Sequence, residues 1–189
     1  MYNLLSHCGT LTLNTDRLIL RKFVLDDSEK IYYNWADDEE TVKYLSWKKH
    51  ANILETINIV KQWVIYYKNL DYYRWCICFK DSLESIGSIY LNRLNNKAHS
   101  CEVGYVICKK YWNMGLATEA LKKVISFLFN NVNFNRIEAL YDINNIASER
   151  VIQKCGMISE GVLREYDINS DGKFCNVIIC SILKNEFKY

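Results

Sequence analysis

Apolar residues recur along the chain with two spacings, one typical of strands and the other of amphipathic helices. Alternating or continuous runs rich in β-branched and aromatic residues predict strands at 17–23, 73–80, 85–91, 100–108 and 136–141, and a final hairpin at 161–166 and 171–183. Helical spacing behind capping residues predicts helices at 26–35, within 37–45, and at 54–69, 116–130 and 147–155.

This order of elements predicts a mixed α/β (α+β) fold. Consecutive strands early in the chain favour antiparallel pairing, and a strand–helix–strand crossover follows in the middle, with helices on both faces of the sheet. At 189 residues without a proline, the chain is long enough for one well-cored domain and shows no linker. We expect a single domain over 1–189, with 1–14 as a candidate for a loosely ordered N-terminal extension.

Composition narrows the class of protein. The net charge of +2 and pI of about 8.0 are too mild to indicate a nucleic-acid partner. No apolar run approaches the roughly 20 residues that cross a bilayer, and the first residues lack the basic start and apolar stretch of a secretory signal, so a cytoplasmic location is expected. The eight cysteines contain no C-x-x-C pair, which favours reduced, buried thiols and no metal site.

The segment 101–122 carries the clearest chemical signal. A β-type run ends in a turn, and a helix-forming run begins at Leu116 with only small residues at Gly115 and Ala117. A strand, a tight turn and a helix start present unpaired N–H groups and a positive dipole end to one point in space. Such a point binds phosphate well, which suggests a phosphate-bearing cofactor and therefore an enzyme.

Six motifs in order make the chain resemble a known family. They are T-D-R-L-I-L-R (15–21), G-S-I (87–89) with E-V-G-Y (102–105), Y-W-N-M-G-L-A-T-E-A (111–120), N-I-A-S-E-R-V-I-Q-K-C-G-M (145–157), G-V-L-R-E-Y (161–166) and the D-G-K hairpin (171–173). Together they resemble the GNAT-type, acetyl-CoA-dependent N-acetyltransferases, in particular the branch of ribosomal-protein N-terminal acetyltransferases. The resemblance implies a GNAT-like fold with a mixed, mostly antiparallel sheet of six to seven strands.

The resemblance also implies where acetyl-CoA binds. Backbone groups near Val106 and Ile107 would pair with pantetheine, and Asn145 would bond to the same arm. The loop 112–118, called the phosphate loop below, would hold the pyrophosphate on its backbone N–H groups and through the Thr118 hydroxyl. Its other residues are Trp112, Asn113, Met114, Gly115, Leu116 and Ala117. Trp112 departs from the Gln or Arg that the family often has at the start of this loop.

Transfer of acetyl to an amine requires a base for the ammonium and a donor for the departing thiolate. Glu102, on the strand before the phosphate loop, is the candidate base; the alternative is a carboxylate that is merely solvated or paired with an arginine. Ile152 occupies the position where many members of the family have a tyrosine that acts as the general acid. By resemblance Ser148 is the substitute donor at the thiolate, although it could simply cap a helix, and Tyr105, Tyr141 and Tyr166 are further candidate donors.

The acceptor amine is expected to bind between the early helices and the last hairpin. Candidate contacts are aromatic: Trp35, Tyr44, Trp47 and Tyr166. The acidic run 37–40 could attract a cationic amine there, or could only favour a helix start. Three classes of acceptor are candidates: a protein N-terminus such as that of a ribosomal protein, a polyamine, and an amine-bearing antibiotic. Because Ile152 replaces the usual tyrosine, a non-catalytic module that senses acetyl-CoA is an alternative function. We expect the chain to be a monomer or a homodimer.

Overall fold

The computed structural model describes residues 4–188, which fold around one eight-stranded sheet. The strands are β1 (Leu13–Asn14), β2 (Leu18–Arg21), β3 (Arg74–Phe79), β4 (Ser85–Asn95), β5 (Ser100–Ile107), β6 (Arg136–Asp142), β7 (Ile158–Ile168) and β8 (Phe174–Leu183). They lie in the order β1-β2-β3-β4-β5-β6-β8-β7, and every pair is antiparallel except β5 with β6. The predicted mixed, mostly antiparallel sheet is confirmed.

The strand missing from the sequence prediction is β1. It has two residues, and Leu13 pairs with Leu20 of β2. A strand this short has no periodicity to detect, because alternation needs at least four residues to show. The sheet therefore has eight strands instead of the six to seven expected.

Five α-helices flank the sheet within residues 4–188: α1 (Ser28–Ile31), α2 (Glu39–Val42), α3 (Ile53–Tyr66), α4 (Leu116–Phe127) and α5 (Ile146–Lys154). The α1 segment begins with a 3-10 turn and continues as a π turn to Ala36. Asp38 caps α2 by accepting a hydrogen bond from the Glu40 N–H, and Asn52 caps α3 in the same way. The acidic run thus serves its helix start, which is the simpler of the two roles considered for it.

Both faces of the sheet are covered. Trp75, Cys76, Ile77 and Cys78 of β3 are consecutive and all fully buried, which requires packing on each side of the strand. Helices α1 and α3 pack together on one side, and α4 and α5 pack together with α4 against β1, β2 and β5. One continuous core joins these layers.

The sheet opens in its middle. Strands β5 and β6 pair in parallel only at Ser100–Arg136, Cys101–Ile137 and Glu102–Glu138, and the rest of β5 has no partner on that side. The gap begins immediately after Glu102. The unpaired backbone of β5 beyond that point is the feature that positions the candidate site.

Residues 4–14 lie against the body of the protein. Gly9 donates its N–H to the Leu70 carbonyl, and Leu5 and Cys8 pack on the core. The expected N-terminal extension also includes residues 1–3, which lie outside the described part of the chain.

All eight cysteines are free thiols. Among residues 4–188 no helix has the length and apolar character needed to cross a membrane.

Candidate active site

A cleft of about 590 Å³ occupies the gap between β5 and β6. Its walls come from β4 and β5 on one side, from β6 and the start of α5 on the other, and from the start of α4 at one end. At the opposite end, Ser170 in the β7–β8 turn donates a hydrogen bond to the Lys43 carbonyl after α2. The last hairpin and the early helices therefore meet across the mouth of the cleft.

The α4 end of the cleft is made of backbone. Asn113 and Gly115 both have positive φ, 60° and 75°, and Gly115 is the residue that precedes the first turn of α4. A left-handed φ strains most L-residues, so glycine meets the backbone requirement here. The first N–H groups of α4 have no partner within the helix and face this corner.

A pair of charged residues braces the corner. Glu119, in the first turn of α4, accepts hydrogen bonds from the Thr15 hydroxyl and from the Arg17 N–H and Nε, and Arg17 also donates to the Met114 carbonyl. Burial would raise the pKa of Glu119, but these hydrogen bonds outweigh it and hold the pKa below its ordinary value. Met114 itself does not line the cleft, whereas Trp112, Asn113 and the rest of the predicted loop do.

Of the two predicted backbone contacts with pantetheine on β5, only one has a carbonyl on the gap side. A Cβ built on Gly87 would lie 2.2 Å from the Val106 carbonyl oxygen, so Val106 faces β4 and the close approach requires glycine. Backbone groups alternate along a strand, so Ile107 faces the gap. Its carbonyl accepts a hydrogen bond from the Trp112 indole at 2.7 Å.

Glu102 lies at the point where the strands part. Its residue is 7% exposed, its Oε1 accepts from Asn92 Nδ2 at 2.9 Å, and its Oε2 lies 3.4 Å from Arg93 Nε. Arg93 in turn donates to the Tyr166 hydroxyl. The carboxylate thus lies inside the cleft and is also paired with an arginine. The pairing with Arg93 and the candidate role as base are therefore compatible.

Two hydroxyl groups lie on the other face of β5. Tyr105 Oη and Ser148 Oγ are 2.7 Å apart, while Asn145 caps α5 by accepting from the Ser148 N–H. Ser148 is therefore not the helix cap. Burial raises the pKa of Tyr105 and the hydrogen bond to Ser148 lowers it in part. Ile152, at the position where many members have tyrosine, is buried in the core.

The aromatic residues predicted to contact the acceptor separate into two groups. Tyr44 and Tyr166 line the cleft. Trp35 and Trp47 instead line a second cavity of about 390 Å³ beside it, and Trp35 is only 2% exposed. The sequence pattern could not separate Tyr44 from Trp35 and Trp47, because all three come from the same early segment. No cluster of metal-ligating side chains occurs among the described residues.

Sequence reasoning missed three contributors: Asn92 and Arg93 at Glu102, and Arg17 at the phosphate corner. Each acts through a partner on a different secondary-structure element. The register between β4 and β5 shifts by a bulge between Leu91 and Arg93, so pairing Arg93 with Glu102 requires knowledge of that bulge. No local signal reveals it.

Comparison with known proteins identifies the family. Residues 17–158 match the family model described as acetyltransferase (GNAT) domain. The uncharacterized N-acetyltransferase YoaA of Bacillus subtilis is 36% identical over 154 residues, 82% of this chain and 86% of the relative. The chain therefore belongs to the GNAT family and is an acetyl-CoA-dependent N-acetyltransferase, which confirms the resemblance drawn from its motifs.

Solved structures agree on the fold. The ribosomal-protein-S5-alanine acetyltransferase of Vibrio fischeri is similar with a TM-score of 0.81 at 20% identity, over 95% of this chain and 100% of that one. The microcin C7 self-immunity acetyltransferase MccE, solved in complex with acetyl-CoA and AMP, gives a TM-score of 0.79 at 21% identity over 89% and 93% of the two chains.

Proposed function

We propose that this enzyme acetylates the N-terminal amine of a protein, with a ribosomal protein as the first candidate. One observation carries the proposal. The alternation of β5 sends Glu102 to one face of the sheet and Tyr105 to the other, and the gap in the sheet begins between them. A base and a proton donor on opposite sides of an opening suit a reaction in which an amine enters from one side and a thiolate leaves on the other.

The residues at the gap fit acetyl-CoA. The α4 corner, with two left-handed backbone positions and unpaired N–H groups, suits the diphosphate, and the predicted loop from Trp112 to Thr118 would hold it. The gap side of β5 suits an extended arm that pairs with backbone groups other than the Ile107 carbonyl, which already accepts the Trp112 indole. Asn145 lines the facing wall of the cleft. Acetyl-CoA supplies the acetyl group as a thioester.

The chain's own residues account for the protons. Glu102 takes a proton from the acceptor ammonium, directly or through one water, so that the free amine attacks the thioester carbonyl in a ternary complex. As the new C–N bond forms and the C–S bond breaks, the nitrogen loses its second proton to solvent. Ser148 donates a proton to the departing sulfur, Tyr105 replaces the proton on Ser148, and solvent reprotonates Tyr105. The raised pKa of Tyr105 keeps its proton in place at neutral pH.

The acceptor class is supported by likeness and by the mouth of the cleft. The Vibrio fischeri relative is named for the alanine of ribosomal protein S5. Tyr44 and Tyr166 lie on two segments that meet across the mouth, one after α2 and one on β7. An extended peptide end would pass between them, with its terminal amine directed to Glu102.

The test is an acceptor screen that follows release of free CoA. The panel contains peptides matching ribosomal-protein N-termini, the same peptides with a blocked N-terminus, polyamines and amine-bearing antibiotics. We expect turnover only with peptides whose N-terminal amine is free. Turnover of blocked peptides through lysine, or of polyamines or antibiotics alone, would contradict the proposed acceptor, and acetyl-CoA binding without any turnover would favour the sensing alternative.

A further inference from the structure

The cavity beside the cleft lies on the same face of the sheet as Glu102. Gly104, two residues after Glu102, pairs with Tyr90 of β4, and Tyr90 pairs with Arg74 of β3, so Tyr90, Arg74 and Glu102 share one face. The two cavities also share four lining residues: Ser46, Tyr90, Asn92 and Val106. A molecule whose amine reaches Glu102 can therefore extend another group into this second cavity.

An arginine forms part of the cavity wall. The Arg74 guanidinium lies 4.4 Å from the ring centre of Trp63 and 4.0 Å from that of Tyr90, and its Nε donates to the Tyr72 hydroxyl. Among residues 4–188 no carboxylate lies within salt-bridge distance of it. Two aromatic rings thus fix the plane of the guanidinium, and its charge has no anionic partner in the described part of the chain.

A second polar group in the same wall lacks a hydrogen-bond partner among the described residues. Ser88 is 1% exposed, and its Oγ makes no hydrogen bond to any described residue. Ser88 lies two residues before Tyr90 on the same face of β4, and it lines the same cavity. A buried hydroxyl without a partner costs free energy, which a ligand that accepts its hydrogen bond would recover.

The remaining charged groups leave the cavity positive. Lys48 and Lys49 lie exposed at its rim. Burial lowers the pKa of His50 despite the charge of Glu55, and its Nδ1 is hydrogen-bonded to Thr56. Glu55 is the only acidic residue that lines the cavity within the described range, and it already accepts the Ala51 N–H.

We propose that this cavity recognises an anionic group of the acceptor, held by the stacked guanidinium of Arg74 and the hydroxyl of Ser88. The inference rests on the proposed function, because it adds a substrate class to the same site. Arg74 lies two strand spacings from Gly104 and Glu102 lies two residues further along β5, which puts about 12 Å between the backbones of Arg74 and Glu102. A peptide acceptor whose N-terminal amine lies at Glu102 would therefore reach Arg74 with an acidic side chain at its second or third residue.

The experiment compares peptides that differ in one charge. Peptide pairs with Glu or Gln at the second or third position are assayed with the wild type, Arg74→Gln and Ser88→Ala. Lys61→Gln is the control variant, because Lys61 is an exposed charge on α3 that does not line the cavity. We expect the wild type and Lys61→Gln to prefer the Glu peptide by about tenfold in kcat/KM, the order that a hydrogen bond to a charged group supplies. Arg74→Gln should abolish that preference and Ser88→Ala should reduce it. An equal rate on both peptides, or a preference that survives Arg74→Gln, would overturn the inference.

A binding measurement separates this inference from the acceptor class. Trp35, Trp47 and Trp63 line the cavity, so their fluorescence should report the N-acetylated Glu peptide, which binds without reacting, and should report the Gln product far more weakly. Ser88→Ala is the second variant should Arg74→Gln fail to fold. Small amines that carry a carboxylate or a phosphate form a separate arm of the assay. Selective turnover of these and of no peptide would support the cavity's chemistry and overturn the peptide acceptor.

Discussion

The two ends of the cleft are built from different parts of the protein. At the α4 end, the groups that face the cleft are backbone N–H groups presented by Asn113, Gly115 and a helix start. At the other end the groups are side chains that different elements bring together: Glu102 of β5 held by Asn92 and Arg93 of β4, and Tyr105 of β5 held by Ser148 of α5. One end depends on conformation and the other on the identity of individual side chains.

This difference decides how each end should respond to substitution. A backbone site tolerates most side-chain changes and fails when φ changes, because the N–H groups then point elsewhere. A side-chain site tolerates small shifts of backbone and fails when a functional group is removed. Acetyl-CoA affinity and turnover should therefore be separable by mutation.

Replacing the carboxylate at the gap should have the largest effect. Glu102→Gln keeps the shape and the contact with Asn92 but cannot accept a proton, so kcat should fall about 10²- to 10⁴-fold, the range of general base catalysis. The affinity for acetyl-CoA, measured by calorimetry, should stay within about twofold because the base does not touch the α4 corner.

A matched control exists on the neighbouring strand. Glu138 pairs with Glu102 in the parallel ladder but does not line the cleft, and it forms an ion pair with Arg136. Glu138→Gln should leave kcat nearly unchanged. Equal turnover by wild type and Glu102→Gln would remove Glu102 from the mechanism.

Removing the hydroxyl pair should have the second largest effect. Tyr105→Phe and Ser148→Ala should each lower kcat by about 10- to 100-fold, and the double variant should be little worse than either, because the two groups act as one unit. Single-turnover kinetics with a saturating acceptor would measure this. Additive losses would mean that the 2.7 Å contact is not a shared proton path.

The backbone end is best tested with two glycines of matching conformation. Gly115 and Gly172 have φ of 75° and 80°, and only Gly115 lines the cleft. Alanine at either position should cost about 1–2 kcal/mol in conformational strain. Only Gly115→Ala should also weaken acetyl-CoA binding, by about tenfold for a loss of that size, while kcat at saturation stays near the wild-type value. Equal affinities in the two variants would show that the corner does not hold the coenzyme.

The same difference explains what the sequence could predict. The α4 corner lies within one contiguous segment, so Gly115, Leu116 and Ala117 identify it without knowledge of the fold. The strands and longer helices were also predictable, since runs such as Arg74–Phe79 and Ile53–Tyr66 carry their own periodicity. Strand β1 was not, because two residues have none.

The side-chain end was only partly predictable. Glu102 and Ser148 were identified by resemblance, but Arg93 beside Glu102 depends on a β-bulge, and Tyr105 beside Ser148 joins residues 43 positions apart. Trp35 and Trp47 were expected at the mouth of the cleft. They line the adjoining cavity instead, because a continuous helical segment buries Trp35 against the sheet. Such facts follow from tertiary packing, which no local pattern encodes.

The smallest effect should come from the brace beneath the corner. Arg17→Gln removes the cation that neutralises Glu119 in the first turn of α4 and leaves the hydrogen bonds from Thr15 and the residue-17 N–H. The uncompensated negative charge next to the proposed diphosphate should weaken acetyl-CoA binding by about fivefold at low salt and less at high salt. Glu119→Gln frees the Arg17 charge and should not weaken binding. The double variant should return to near the wild-type affinity, and a double variant as weak as Arg17→Gln would indicate a purely structural brace.

The same brace predicts a pH dependence of stability. The folded-state pKa of Glu119 lies below the ordinary 4.5, so its stabilising effect is fully present above that pH. It is lost as the pH falls through the folded-state pKa. The Tm of the wild type should therefore exceed that of Glu119→Gln at pH 6 to 7, and the difference should shrink as the pH falls below about 4.5. A difference in Tm that stayed constant down to pH 3 would mean that the hydrogen bonds from Thr15 and Arg17 do not favour the charged carboxylate.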